Sequence, residues 1–430
     1  MKHVLFFSLL IAQPLFAIDF QDPRAVAAAA VSAHPTPARI AAEAAAARER
    51  VMPAGSLPNP MLMAGVQNKQ VDLRDDEMMT MYMVGVSQTL VRPEKREARR
   101  ESAQLAADAL EKELDSVRAE IERDALLAWY ELAAADAQLH ATEHVRELTD
   151  AVVAAARVRY EVGTSLQADV IRAQLQGSDL DLEIIRLRGS RRAALARLLP
   201  LLGLPMTTDV PRVQMPENSE ALAIDGPAVA PADHPAIVAL QTEIERMSRE
   251  LRLAELELRP DIDLEAQYGH RAMQRDMFSV TARIELPLRA KQISEPRARE
   301  ATLRRTALEQ RIEELRRSLS QAMAEAVVAH EQATHQLRFL REVLVPQAQL
   351  AFESTLAAYQ SGKAPFDAIL GAESAYLRLR LQYFEFLARH AQAVVNYEAL
   401  RRGARSSAMS ASSAPGAKTA APVMSSMGSM

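Results

Sequence analysis

Eighteen methionines are unevenly placed in the chain, and Met61, Met63, Met79, Met81 and Met83 all take odd-numbered positions in one short stretch. A thioether is a soft, neutral donor suited to Cu(I) and Ag(I). If the stretch is extended, odd spacing puts all five side chains on one face. Methionine is equally an adaptable apolar filler, so both uses stay open. No second metal constellation is present: the nine histidines are scattered, without a pair at convincing ligand spacing. The chain has no cysteine, which excludes a disulfide scaffold, a thiolate metal site and a lipid-bearing cysteine. Nucleophile-elbow, P-loop, H-E-x-x-H and dinucleotide patterns are missing. The paired carboxylates lie on charged helical faces, where solvation explains them. The expectation is therefore no enzyme and no cofactor.

A second pattern is positional. Residues 160–170 read YEVGTSLQADV, and 199 residues later 359–369 read YQSGKAPFDAI. Tyr160-x-x-Gly163 and Tyr359-x-x-Gly362 each interrupt a helical run. The repetition extends further: HPTPARI at 34 and HPAIVAL at 234 open similar segments, and glycines at 203 and 403 close them. Two halves of this size imply a duplicated chain with internal pseudo-symmetry rather than a short-repeat solenoid.

Long helices must position these breaks. From Pro93 to Tyr160 no proline intervenes, and at 1.5 Å per residue the run reaches roughly 100 Å. Leu110, Leu114, Val117, Ile121, Ala125, Ala128, Leu132, Ala135 and Leu139 recur as a heptad seam with one irregular step. Leu308, Ile312, Leu315, Leu319, Ala322, Ala326, Ala329, Ala333, Leu337, Leu340 and Leu344 repeat it, and Pro346 predicts a kink. Each helix descends, turns at Gly163 or Gly362, and returns.

Between prolines 60 and 93 the period changes to two. Leu62, Ala64 and Val66 alternate with polar or small residues, as do Tyr82, Val84, Val86 and Leu90. In the second half Ile262, Leu264, Ala266 and Tyr268, then Phe278 through Leu288, do the same. Four strands of about ten residues suit a tilted membrane strand, with lipid on the apolar face and water on the other. Four strands cannot close a barrel, so this reading demands several copies. A soluble sheet on a helical bundle is the alternative.

Nearly half of the 430 residues are apolar, and the formal charge of −5 is dispersed. No basic stripe suits nucleic acid. Residues 1–17 have a short basic start and an apolar run of signal-peptide length. The expected organisation is a signal at 1–17, a first repeat at 18–206, a connector at 207–233, a second repeat at 234–403, and a disordered Met/Ser/Ala-rich tail at 404–430.

An exported, duplicated chain with strands, long hairpins and Tyr-x-x-Gly tips resembles the TolC-like outer membrane efflux protein family. The resemblance covers about residues 34–403. It rests on Asn59-Pro60, Ser87-Gln88-Thr89-Leu90, Tyr160-x-x-Gly163 with Asp169-Val170 and Ala173-Gln174, and Leu201-Leu202-Gly203-Leu204-Pro205. In the second half it rests on His234-Pro235, Arg259-Pro260, Leu286-Pro287-Leu288 and Tyr359-x-x-Gly362.

The resemblance implies a mainly α fold with a small β part. Three copies would join four strands each into a 12-stranded barrel in the outer membrane of a Gram-negative bacterium. Duplicated hairpins would continue it as a trimeric α-barrel tunnel through the periplasm. Implied partners are outer membrane lipid, a periplasmic adaptor and an inner-membrane pump that supplies the energy. Tyr160, Asp169, Tyr359 and Asp367 become gate candidates, with a Tyr–carboxylate bond between neighbouring hairpins as the lock. Gly163, Thr164, Ser165, Gly362, Lys363 and Ala364 become adaptor contacts. The five methionines, if they face the lumen, suggest copper or silver as cargo. A drug or solvent path would accept the same lining. A protein-secretion duct shares the architecture, and a periplasmic coiled-coil tether without a pore is the rival from another class.

Overall fold

The computed structural model describes residues 18–69, 80–216, 222–271, 274–286 and 289–405. The expected signal at 1–17, Met79, Leu288 and residues 406–430 of the expected tail lie outside the described residues. The chain is mostly helical with one small sheet. It forms two compact units, and each takes segments from both sequence halves.

The first unit comprises the described residues of Met1–Pro35, Val117–Ala230 and Leu319–Met430. It contains helix α1 (Pro23–Ala33), most of α4 (Pro93–Glu161), α5 (Gln167–Leu201), α8 (Val345–Gln360) and α9 (Phe366–Arg402). Asp22 caps α1 by accepting the Arg24 amide at 2.9 Å, and Pro23 occupies the first turn, where no amide proton is needed. The core gathers Val26 and Ala30 from α1, Trp129 and Leu132 from α4, and Leu198 and Leu199 from α5. Trp129 is fully buried, and its indole N–H donates at 2.8 Å to the Phe20 carbonyl. That bond removes the penalty of burying a lone donor. Buried Asp136 accepts from Arg191 at 2.6 Å and from the Val213 amide at 2.9 Å. It thereby ties the segment after α5 to both α4 and α5.

The second unit comprises Thr36–Ser116 and Pro231–Ser318. It holds α2 (Pro35–Glu49, less its first residue), α3 (Val51–Gly55), α6 (Pro235–Leu256), the start of α4, and most of α7 (Ala290–Phe339). Its sheet runs β1 (Met61–Gln67), β2 (Met81–Leu90), β3 (Ile262–His270), β4 (Met277–Ile284), antiparallel throughout and in that spatial order. At the foot of β2 and β3, Lys95 pairs with Asp261 at 3.0 Å, and Arg92 donates to the Pro260 carbonyl at 3.0 Å.

Register carries the apolar parity across all four strands. Leu62, Val86, Ala266 and Val280 form one row, and Ala64, Val84, Tyr268 and Phe278 the next. This face is open: Leu62 is 75% exposed and Phe278 is 71% exposed. On the other face Ser87 and Glu265 are buried. The usual inside-out order of a soluble sheet is thus reversed.

The structure departs from expectation in three places. The fourth strand ends at Ile284, so Leu286 lies past it. In α7 the buried seam runs Leu319, Met323, Ala326, Ala333, Leu337, Leu340, while Ala329 is exposed and Ala322 only half-buried. Because 3.6 does not divide seven, the helix's drift brings Met323 inward instead. The interruption expected at Pro346 falls one turn earlier, as a π-helical turn at Leu340–Leu344 leading into α8. There the wider turn absorbs the bond that the proline removes.

Candidate functional site

The two Tyr-x-x-Gly breaks are the same helix terminus built twice. At the first, the Gly163 amide donates to the Tyr160 carbonyl at 2.9 Å and the Thr164 amide to the Arg159 carbonyl at 2.8 Å. At the second, Gly362 donates to Tyr359 at 3.0 Å and Lys363 to Ala358 at 2.8 Å. Both are Schellman caps, with glycine in the left-handed region at φ 75° and 80°. The motif therefore encodes a helix stop: glycine supplies the φ, and the tyrosine backbone supplies an acceptor.

The side chains of the two breaks behave differently. Tyr160 is exposed, among the exposed apolar residues Val158, Val162 and Leu166. Tyr359 is buried, packs edge-on against Phe366 and has a hydroxyl without a protein partner. Burial pushes its phenol pKa up, the Arg159 cation pulls it down, and Asp169 adds to the rise. Within this chain Asp169 does not bond Tyr359. Its carboxylate accepts the Leu166 amide at 3.3 Å and sits in the first turn of α5, where the helix dipole favours a negative charge. Asp367 is exposed and pairs with Arg172 at 3.0 Å. Gly163, Thr164, Gly362 and Lys363 are exposed, while Ser165 and Ala364 are half-buried.

Among the links between the first hairpin (α4 and α5) and the second (α8 and α9), three lie toward the tips, and most of their residues carry no motif. Arg159 donates to the Tyr359 carbonyl at 2.8 Å and covers its ring. Arg172 meets Asp367. Glu373 of α9, fully buried, accepts from Thr149 of α4 at 2.9 Å and from Gln176 of α5 at 3.2 Å. Burial pushes the Glu373 carboxyl above the usual carboxylate range, against the pull of those two bonds and of Arg146. Its second oxygen has no protein partner. No sequence signal marks this site, because Glu373 is one of four acidic residues in α9 and only packing buries it.

The four described methionines of the odd series, Met61, Met63, Met81 and Met83, share the sheet face opposite the open apolar rows. Met79 lies outside the described residues. Among the described residues no group of three or more histidine or acidic side chains could hold a metal ion. No helix there is long and apolar enough to cross a membrane.

Residues 29–204 match the family profile described as "Outer membrane efflux protein". No curated protein matches the sequence. Among solved structures, the outer-membrane channel OprN superposes with a TM-score of 0.73 at 18% identity, covering 89% of this chain and 91% of that one. The outer membrane protein VceC of Vibrio cholerae gives 0.71 at 18%, covering 89% and 96%. The open state of the Neisseria gonorrhoeae MtrE outer membrane channel gives 0.72 at 15%, covering 89% of each chain. Residues 29–204 thus carry the pattern of the outer membrane efflux protein family, and the chain as a whole has the fold of solved outer-membrane channels.

Proposed function

We propose that the chain is one subunit of a passive duct through a bacterial outer membrane, serving an efflux pump. The observation that carries this is the sheet: apolar rows exposed over four strands, polar side chains on the less exposed face, and two outer strands each with one unpaired edge. Unpaired backbone is not tolerated in lipid. Copies must therefore join edge to edge, and three of them give a 12-stranded barrel. The hairpins prolong the pore on the periplasmic side, where a pump and its adaptor supply cargo and energy.

In this reading the tips are the moving part. Residues 163–165 and 362–364 meet the adaptor, helped by exposed Val162 and Leu166. Tyr160, Asp169, Tyr359 and Asp367 belong to the gate by position. Opening separates the two hairpins, so it works against Arg159–Tyr359, Arg172–Asp367 and the Glu373 cluster. The test is membrane extraction of the full chain followed by mass determination and single-channel recording. A detergent-dependent trimer with steady conductance is expected. A monomer released by salt alone would overturn the reading in favour of a tether.

A further inference from the structure

We propose that Met81, Met83 and Met277 form a binding site for a soft monovalent metal ion, Cu(I) or Ag(I), on the polar face of the sheet. One row across the four strands reads Gly65, Met83, Gly269, Met277. Met63 of β1, opposite Gly85, lies three strand spacings (roughly 14 Å) from Met277 on β4 and is outside the group. Met81 follows two residues from Met83 on the same face of β2, about 7 Å along the strand. Diagonal cross-strand neighbours are about 7–8 Å apart, within reach of long side chains.

The glycines are the second observation. Met83 faces Gly65 and Gly269 across its two strand pairs and Met277 faces Gly269, and strand glycine often marks a place where something approaches the backbone closely. The space above Gly269 is already taken by sulfur: a Cβ there would overlap the Met81 thioether. Met81 therefore lies over the residue between Met83 and Met277, which places its thioether between the two strands that carry them. Met61, opposite Ser87 and one pair further along, is outside the group.

The donor set dictates the ligand. Thioethers are neutral and soft, so they select Cu(I) or Ag(I) over Zn(II), Mg(II) or Ca(II). They carry no proton to displace, in contrast to histidine or thiolate ligands. Affinity at this site is therefore nearly unchanged between pH 5 and 7.5. The proposal rests on the duct reading only for its meaning, which would be a contact for exported metal; the binding itself does not need a pore.

The experiment uses the purified full chain in detergent with Ag(I), which needs no reductant, measured by equilibrium dialysis at pH 5 and 7.5. Conductance in planar bilayers is recorded on the same preparations. Wild type is expected to bind Ag(I) equally at both pH values and to ignore Zn(II). M81L/M83L double and, separately, M277L single variants are expected to weaken binding at least tenfold while conductance persists; M52L, at an exposed helical methionine, leaves it unchanged. Ag(I) binding that is equal in wild type, M81L/M83L and M277L, or that falls tenfold at pH 5, overturns the site. Loss of conductance in wild type with binding intact overturns the duct reading and leaves the site standing.

Discussion

The Arg159 guanidinium stands 4.7 Å from the centre of the Tyr359 ring and donates at 2.8 Å to the carbonyl of the same residue. One side chain from the first hairpin thus holds both the face of the second hairpin's tyrosine and the acceptor that also receives Gly362. A carbonyl has two lone pairs, so both donors are accommodated, and a cation at a helix C-terminus is favoured by the dipole. Arg159→Met keeps the apolar stem and removes charge and donors. The expected cost is about 1.5–3 kcal/mol of local stability. Amide exchange at residues 355–366 should accelerate by one to two orders of magnitude, with partial rescue by Arg159→Lys. Unchanged exchange would show that the contact is incidental.

Gly163 and Gly362 are matched controls for one another. Both have φ well inside the left-handed region, and a Cβ at either meets nothing within 4 Å. Substitution therefore costs backbone strain alone, about 1–2 kcal/mol. Gly163→Ala and Gly362→Ala should lower the unfolding midpoint by similar amounts, and Gly→Asn should cost less than Gly→Ala at both. A much larger effect at one site would point to a packing role that the open space excludes.

Glu373 makes the tip region pH-dependent. Its folded pKa lies above the ordinary value of 4.5. Its favourable contribution is complete below about that pH and is lost as pH rises through the raised folded value. Glu373→Gln keeps an acceptor for Thr149 and Gln176 and has no charge to desolvate. The variant should match wild type at pH 4 and exceed it at pH 8, seen as slower amide exchange around residues 145–152 and 370–378. Parallel pH profiles for the two proteins would contradict a buried, reluctantly ionised carboxyl.

The sheet separates a barrel from a soluble tether. Val84 lies in an open apolar row and is already 46% exposed. In a soluble protein Val84→Lys should be nearly silent. In a lipid-facing strand it should cost about 2–4 kcal/mol if it lies near the bilayer midplane, read as loss of folding into lipid vesicles. Thr281→Lys, on the opposite face beside Glu265, should fold normally. Equal folding of both variants would remove the main support for a membrane barrel.

What could be read from the chain alone is what short-range physics decides. The duplicated tips were legible because a Schellman cap is written within six residues, and glycine is the residue that adopts its φ without strain. Strand parity was legible because successive side chains must alternate, and the long helix α4 because no proline or glycine follows Pro93 within it. Contacts between remote segments were not legible. Whether Tyr359 faces a pore or lies under Arg159 depends on how α4 packs against α8 and α9. Whether Ala322 or Met323 lines the seam depends on twist accumulated over many turns. Met277 joins Met83 only because the register of two strand pairs places both beside Gly269, and Glu373 meets Thr149 and Gln176 only where three helices converge. Sequence determined the pieces and their ends; the tertiary structure decided which side chains meet, because those distances are set by packing rather than by local backbone preference.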